Sequence, residues 1–353
     1  MKGLILSGGK GTRLRPLTYT SAKQLVPIAN KPVLFYGIEA MAEAGIRDIG
    51  IVVGDTQAEI RAAVGDGSAW GVRVVYIEQD APRGLAHAVK ISESFIGRDP
   101  FVMYLGDNLL NKGITQFVQD FIRDAPAAQI LLARVPDPQM FGVAELRDGK
   151  VVRLVEKPKE PIGDHALVGV YMFGPQVFES VNRIRPSFRN ELEITDAIQD
   201  LIDRGLDVRP HLVEGWWKDT GKLEDMLEAN RLVLEDVETR LDGVVEDSRV
   251  EGRVVLEEGA VLSGSVVRGP AVIGAGAKIE DAYIGPYTSI GEGVEVRRSE
   301  IEHSIILAGA VVRDLGTRME ASLLGRNVRL TRGDGMPKTL RMMVGDNSEI
   351  EMT

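Results

Sequence analysis

The chain is 353 residues long, 44% hydrophobic and 27% charged, which allows roughly two or three domains with buried cores. It has no cysteine, which excludes a disulfide framework, a thiolate metal site and a thiol nucleophile and permits a reducing compartment. A net charge of −10 argues against a nucleic-acid partner, and no apolar run approaches the length of a membrane span. The opening MKGLILSGGKG places a glycine-rich turn where a signal peptide would continue its apolar region, so a cytoplasmic chain with no membrane partner is expected.

Short apolar runs at residues 3–6, 49–53, 72–76, 101–105 and 130–134 read as strands, and residues 32–44 and 85–95 as helices between them. Such alternation predicts an α/β fold with a mostly parallel sheet and helices on both faces. Ligands in that architecture collect at the carboxyl ends of strands. The glycine-rich loop after the first strand and the Gly106-Asp107-Asn108 turn after a later one both fall at such ends. Residues 222–241 read as a helix, with Leu223, Met226, Leu227, Leu234 and Val237 among its apolar positions. Past it the pattern changes. Val255, Val261, Val267, Ile273 and Ile279 recur every six residues, and after a one-residue slip Ile284, Ile290 and Val296 resume the count. That period predicts a parallel β-helix, each short strand stacking on the coil before it.

The first 38 residues hold no acidic side chain but carry Lys2, Lys10, Arg13, Arg15, Lys23 and Lys31. In an acidic protein, such an island is either a solvated basic face or a site for a small polyanion. The stretch Leu6-Ser-Gly-Gly-Lys-Gly-Thr-Arg-Leu, followed by Ser21-Ala-Lys-Gln-Leu-Val-Pro-Ile, favours the polyanion. Gly8, Gly9 and Gly11 let backbone amides approach phosphate oxygens, and Arg13 and Lys23 add charge-assisted contacts. The loop lacks the third glycine of a dinucleotide fingerprint, and the Walker spacing would need a glycine at Leu4.

Taken whole, this stretch resembles the signature of the sugar-1-phosphate nucleotidylyltransferases. Further matching segments follow in the family's order: Gln79-Asp-Ala-Pro-Arg-Gly-Leu-Ala, Leu105-Gly-Asp-Asn, Val155-Glu-Lys-Pro, Glu191-Leu-Glu-Ile-Thr-Asp and Trp217-Lys-Asp-Thr-Gly. Within the family the chain is most similar to the long thymidylyltransferases of glucose 1-phosphate, whose extra C-terminal repeats it shares. The resemblance implies a Rossmann-like nucleotidyltransferase sheet in residues 1–241 and a left-handed parallel β-helix in 244–340; residues 341–353 read as an acidic tail. It implies dTTP and glucose 1-phosphate as substrates, dTDP-glucose and pyrophosphate as products and Mg2+ as cofactor, the alternatives being a uridylyl-, guanylyl- or adenylyltransferase of another sugar 1-phosphate or a non-catalytic sugar-nucleotide sensor. The flat outer faces and open end of stacked coils point to a homo-oligomer.

By the same resemblance, Leu6, Gly8, Gly9, Gly11, Thr12, Arg13 and Asp107 belong to the nucleotide site, and Gln79 and Gly84 meet the pyrimidine edge. Gln79 offers both a donor and an acceptor, which suits an imide, although alone it would read as a strand-end glutamine. Asp107 and Asp219 are implied as magnesium ligands; either alone could equally be a turn former. Gly142, Glu156, Lys157, Gly169, Arg189 and Glu193 are implied around the sugar phosphate, with Arg13, Lys23 and Lys157 as the catalytic cations. The chain departs from many short-form relatives at Phe141 (tyrosine there), Arg83 (aspartate) and Asn190 (glycine), which bears on secondary base and sugar contacts. His87, His165, His211 and His303 show no metal-site spacing and read as structural or surface residues.

Overall fold

The structure, a computed structural model, describes residues 1–9, 11–19, 21–332, 344 and 346–351. Lys10 of the basic stretch, residues 333–340 of the expected repeat domain and the start of the expected acidic tail lie outside the described residues. Two compact units make up the chain. The first comprises Met1–Lys10, Ser21–Leu25 and Val33–Asp219; the second comprises Gly11–Thr20, Val26–Pro32 and Thr220–Thr353.

In the first unit, strand Lys2–Ser7 lies between Asp48–Val53 and Phe101–Leu105, and Arg73–Glu78 adds to Asp48–Val53, all parallel. Helices between the strands impose this direction, because a parallel pair needs a crossover. Both faces are covered, so alternate side chains enter different apolar layers. Leu4, Leu6, Phe101 and Met103 face one layer, and Ile5, Val102 and Tyr104 the other. Strand His165–Phe173 then runs antiparallel to both Phe101–Leu105 and Ala128–Arg134. The hairpin Gly142–Arg147 and Lys150–Glu156 completes one edge of this nine-stranded sheet.

Two helices depart from expectation. The one expected over 85–95 is two pieces, Leu85–Ile91 and Glu93–Ile96, parted at the fully buried Ser92. Its hydroxyl donates to the Ala88 carbonyl at 2.7 Å, a side-chain bond of the kind that bends helices. The one expected over 222–241 stops at Leu234, because Arg240–Leu241 pair instead with Val255–Leu256 as the first strand of the repeat.

The second unit is a left-handed parallel β-helix, with strands stacked in sheets of six, six and five. Val250 pairs with Val267 and Ile279 with Val296, so these coils are 17 residues, two sides of six and one of five; later coils pair 16 residues apart (Val296 with Val312) and 18 apart (Val312 with Leu330). The short side explains the slip between Ile279 and Ile284, and it recurs between Leu262 and Val267. As a result the inward residues of the first full coil are Leu256 and Leu262, each one position beyond the expected Val255 and Val261. From Val267 onward the expected positions face inward. Among the described residues no helix is long and apolar enough to cross a membrane.

One asparagine ties three parts of this unit together. Asn230, fully buried on helix Leu223–Leu234, accepts at Oδ1 from the Ala29 amide at 2.9 Å and the Ser289 hydroxyl at 2.7 Å. Its Nδ2 donates to the Tyr287 carbonyl at 3.0 Å. Ala29 and Asn30 form the two-residue turn between Pro27–Ile28 and Lys31–Pro32, both at positive φ (47° and 64°), as a type I′ hairpin requires. Asn30 then donates to the Ile290 carbonyl at 2.7 Å. Asn230→Ala leaves a buried amide, hydroxyl and carbonyl without this partner, and should lower unfolding free energy by about 2–4 kcal/mol. Urea denaturation checks this, and a midpoint equal to the parent's would show that the network does not hold the unit together.

Candidate active site

Register brings the carboxyl ends of the parallel strands to one rim. Leu6 pairs with Val52 and Leu105, and the Gly106 amide donates to the Leu6 carbonyl at 3.0 Å. The Gln79 amide likewise donates to the Val53 carbonyl at 2.9 Å. A Cβ added to Gly8 would lie 3.0 Å from Gln79 Oε1, and one on Gly54 would lie 3.1 Å from the Gly8 carbonyl. Glycines thus keep this rim open to close backbone approach, and Gly9 is exposed beside it. Gly11, Thr12 and Arg13 belong to the second unit. There Gly11 is left-handed (φ 61°), and its carbonyl accepts from the Leu14 amide at 3.0 Å and the Thr18 hydroxyl at 2.7 Å, a tight turn that leaves Thr12 and Arg13 exposed.

The strongest charge cluster of the first unit forms at the same rim. Strand Trp217–Asp219 pairs antiparallel with Asn108–Leu110, placing Asp219 opposite Asn108 and therefore beside Asp107. Lys23, only 8% exposed, enters from the turn Lys23–Leu25, which is pinned where the Ala22 amide donates to Glu59 at 2.7 Å. Its ammonium contacts Asp107 Oδ2 and lies 3.9 Å from Asp219 Oδ1. Asn108 locks the arrangement: its Nδ2 donates to Asp107 Oδ1 at 2.9 Å, while its Oδ1 accepts from the Trp217 indole at 2.6 Å. Burial alone would raise the Asp107 carboxyl, but the Lys23 ammonium and the bonds from Lys23 and Asn108 hold it below the usual carboxylate range.

A second cluster surrounds Arg189. Its guanidinium lies 3.3 Å from Glu156, 3.1 Å from Glu191 and 3.4 Å from Glu193. Glu193, 4% exposed at the start of helix Ile194–Asp203, also accepts from the Ser187 hydroxyl at 2.8 Å. Burial, then repulsion from Glu193, raises the Glu156 carboxyl, partly offset by Lys157 and Arg189. A Cβ on Gly142 would strike Thr195 at 2.7 Å and Leu167 at 2.8 Å, so only glycine lets the hairpin seat Glu156 here. Gly169 packs beneath Leu105 and Asn108, where a Cβ would meet them at 2.7 and 2.8 Å. Lys157 is exposed in a left-handed conformation (φ 44°), its amide bonded to the Phe141 carbonyl at 2.9 Å.

The segment after Gln79 braces the second cluster. The Leu192 amide donates to the Arg83 carbonyl at 2.8 Å, and the Ala86 amide to the Leu192 carbonyl at 3.0 Å. Gly84, at φ 101°, lies so close that a Cβ would sit 2.4 Å from the Leu192 oxygen. Sequence reasoning singled out Gly84 but missed Asn108, Ser187 and Glu191 as organisers of the charged side chains. Asn108 had a signal, its place inside Gly-Asp-Asn; Ser187 had none. The Phe141 departure is accommodated by an edge-on contact with Trp217 at 5.2 Å.

A parallel sheet with a glycine-rich loop, two carboxylates and a buried lysine at its carboxyl rim defines an enzyme that handles phosphorylated nucleotides. The chain belongs to the nucleotidyl transferase family, whose model matches residues 2–236. It is 55% identical to a glucose-1-phosphate thymidylyltransferase of Streptomyces antibioticus, covering 100% of this chain and 99% of that one. It is 48% identical to a low-salt glycan biosynthesis nucleotidyltransferase of Haloferax volcanii, with 100% of each chain covered. A crystal structure of a Bacillus anthracis protein in complex with sucrose is 35% identical and superposes with a TM-score of 0.64, covering 68% of this chain and 97% of that one.

Arg189→Met withdraws the cation that the three glutamates share, so the folded Glu156 carboxyl should rise further. An acid whose folded pKa is raised contributes a destabilisation that is absent while both states are protonated and grows as pH rises through the unfolded carboxylate range. The variant's loss in melting temperature should therefore be small near about pH 4 and larger near about pH 8. Melting curves at both values check this; an equal loss at each would show that charge is not the cause.

Proposed function

We propose that this enzyme transfers a thymidylyl group from dTTP to glucose 1-phosphate, releasing pyrophosphate and forming dTDP-glucose. The observation that carries the reading is the Lys23–Asp107–Asp219 cluster at the strand ends, with the Arg189–Glu156–Glu193 cluster in the same unit. The first is suited to a triphosphate and its counter-ion. The second combines a guanidinium for a phosphate with carboxylates for sugar hydroxyls. The name of the Streptomyces antibioticus relative supports the choice of base and sugar.

In this reading a sugar-phosphate oxygen attacks the α-phosphorus of dTTP as the bond to pyrophosphate breaks. The nucleophile is already an anion, so no general base and no covalent protein intermediate are needed. Gly8 and Gly9 cradle the triphosphate, and Lys23 neutralises it. Lys157 and Arg189 hold the sugar phosphate, Glu156 and Glu193 its hydroxyls, and Gln79 and Gly84 the base edge. Asp107 and Asp219 would hold Mg2+: they converge on one cationic atom, and a hard cation of this kind takes one or two carboxylates beside phosphate oxygens. When bound, the ion supplies further positive charge to the reacting phosphates.

The proposal places the enzyme in the cytoplasm as a homo-oligomer, its β-helix serving assembly and stability. His303, the repeat's single histidine, packs edge-on against Tyr287 at 6.2 Å.

Asp107→Asn and Asp219→Asn should each lower turnover by at least about 100-fold with the fold intact, as loss of a charged ligand to the reacting phosphates requires. Either variant with near-parental magnesium-dependent turnover would remove its aspartate from the site. Offered a matrix of nucleoside triphosphates and sugar 1-phosphates, the enzyme should release pyrophosphate fastest from dTTP with glucose 1-phosphate. A preference for ATP or GTP would overturn the pyrimidine assignment.

A further inference from the structure

The Gln79 side chain spans two neighbours. Its Oε1 faces the glycine loop, 3.0 Å from where a Cβ of Gly8 would sit, and its Nε2 lies 3.1 Å from Nδ1 of His87. His87 is the third residue of helix Leu85–Ile91, half-buried between Ala86 and Ala88, both buried. A carboxamide nitrogen can only donate, so this contact is a hydrogen bond only when Nδ1 carries no proton. Burial lowers the His87 pKa; Asp80 opposes the shift, while Arg83 and Lys90 add to it. All of these groups lie on the same segment and helix as His87, and their net effect favours the unprotonated ring.

The two ends of a carboxamide are nearly equal in size, so hydrogen bonding decides which way it points. We propose that His87 is a positioning residue for base selectivity: its unprotonated Nδ1 holds the Gln79 nitrogen and thereby turns the Gln79 oxygen toward the nucleotide rim. This rests on the reading of Gln79 as a base contact. A thymine or uracil edge presents an imide N–H, which that oxygen accepts. Cytosine presents a bare ring nitrogen at the same place, and two acceptors then face each other. Protonated His87 would donate at Nδ1, attract the Gln79 oxygen and turn the carboxamide over, so discrimination should fall at acid pH. In the sequence His87, within Gly84-Leu-Ala-His-Ala, reads only as a structural or surface residue.

The test compares kcat/KM for dTTP and dCTP, each with glucose 1-phosphate, in the parent, His87→Ala, His87→Asn and Gln79→Ala. His87→Ala should lower the dTTP-to-dCTP ratio about tenfold, the effect of one hydrogen bond of about 1.4 kcal/mol, by raising KM for dTTP while KM for glucose 1-phosphate stays put. His87→Asn, which keeps an acceptor oxygen near the Nδ1 position, should restore the ratio and abolish its decline at acid pH. A parental ratio in His87→Ala, with a lowered one in Gln79→Ala, would overturn the positioning role while sparing Gln79 as the base contact. A parental ratio in Gln79→Ala would overturn that reading and the proposal together. An acid decline in His87→Asn equal to the parent's would also overturn it.

Discussion

The meeting of one ammonium with two carboxylates organises this enzyme's first unit. Asp107 and Asp219 are 112 positions apart in sequence, yet both approach Lys23 at the sheet's carboxyl rim. Two carboxylates at such a separation repel unless a cation stands between them, and a mostly buried lysine needs a counter-charge as much as they do. With Lys23 alone the trio carries one net negative charge; a divalent ion would make it positive, which is the sign a triphosphate requires. The same constraint explains why Asn108 is buried and doubly bonded. It sets the Asp107 carboxylate on one side and the Trp217 indole on the other, so the strand that delivers Asp219 cannot slide without breaking the indole bond.

The Arg189 cluster solves the converse problem. Three glutamates gather around a single arginine, leaving an acidic surface with one fork of donors. The Leu192 backbone beside it is held by its bonds to Arg83 and Ala86, an approach that Gly84 permits by having no side chain. A single methyl group there would prevent it. A nucleotidyl transfer, which needs two phosphates placed in line and little covalent chemistry from the protein, is well matched to such a frame.

Much of this was legible in the sequence, for identifiable reasons. Strands buried on both faces leave continuous apolar runs, so those of the parallel core could be read directly, and the six-residue recurrence of valine and isoleucine betrayed the stacked coils. Local periodicity failed where a distant partner decided the outcome. The helix expected to reach residue 241 ends at Leu234 because Arg240–Leu241 find a strand to join, and the coil phase near Val255 and Val261 depends on a five-residue side that only the paired coils reveal. The resemblance paired Asp107 with Asp219 and named Lys23 apart from them. That they share one charge, and that Asn108 bonds across to Trp217, follows from pairing over more than a hundred residues and leaves no local trace.

The most direct test of this account is a double-mutant cycle between Lys23→Met and Asp107→Asn, read as kcat/KM for pyrophosphate release. Groups that act as one charge cluster are non-additive, so the double variant should lose little beyond the worse of the two single variants. Free-energy losses that simply add would contradict the account, since they would mean that Lys23 and Asp107 serve the reaction independently.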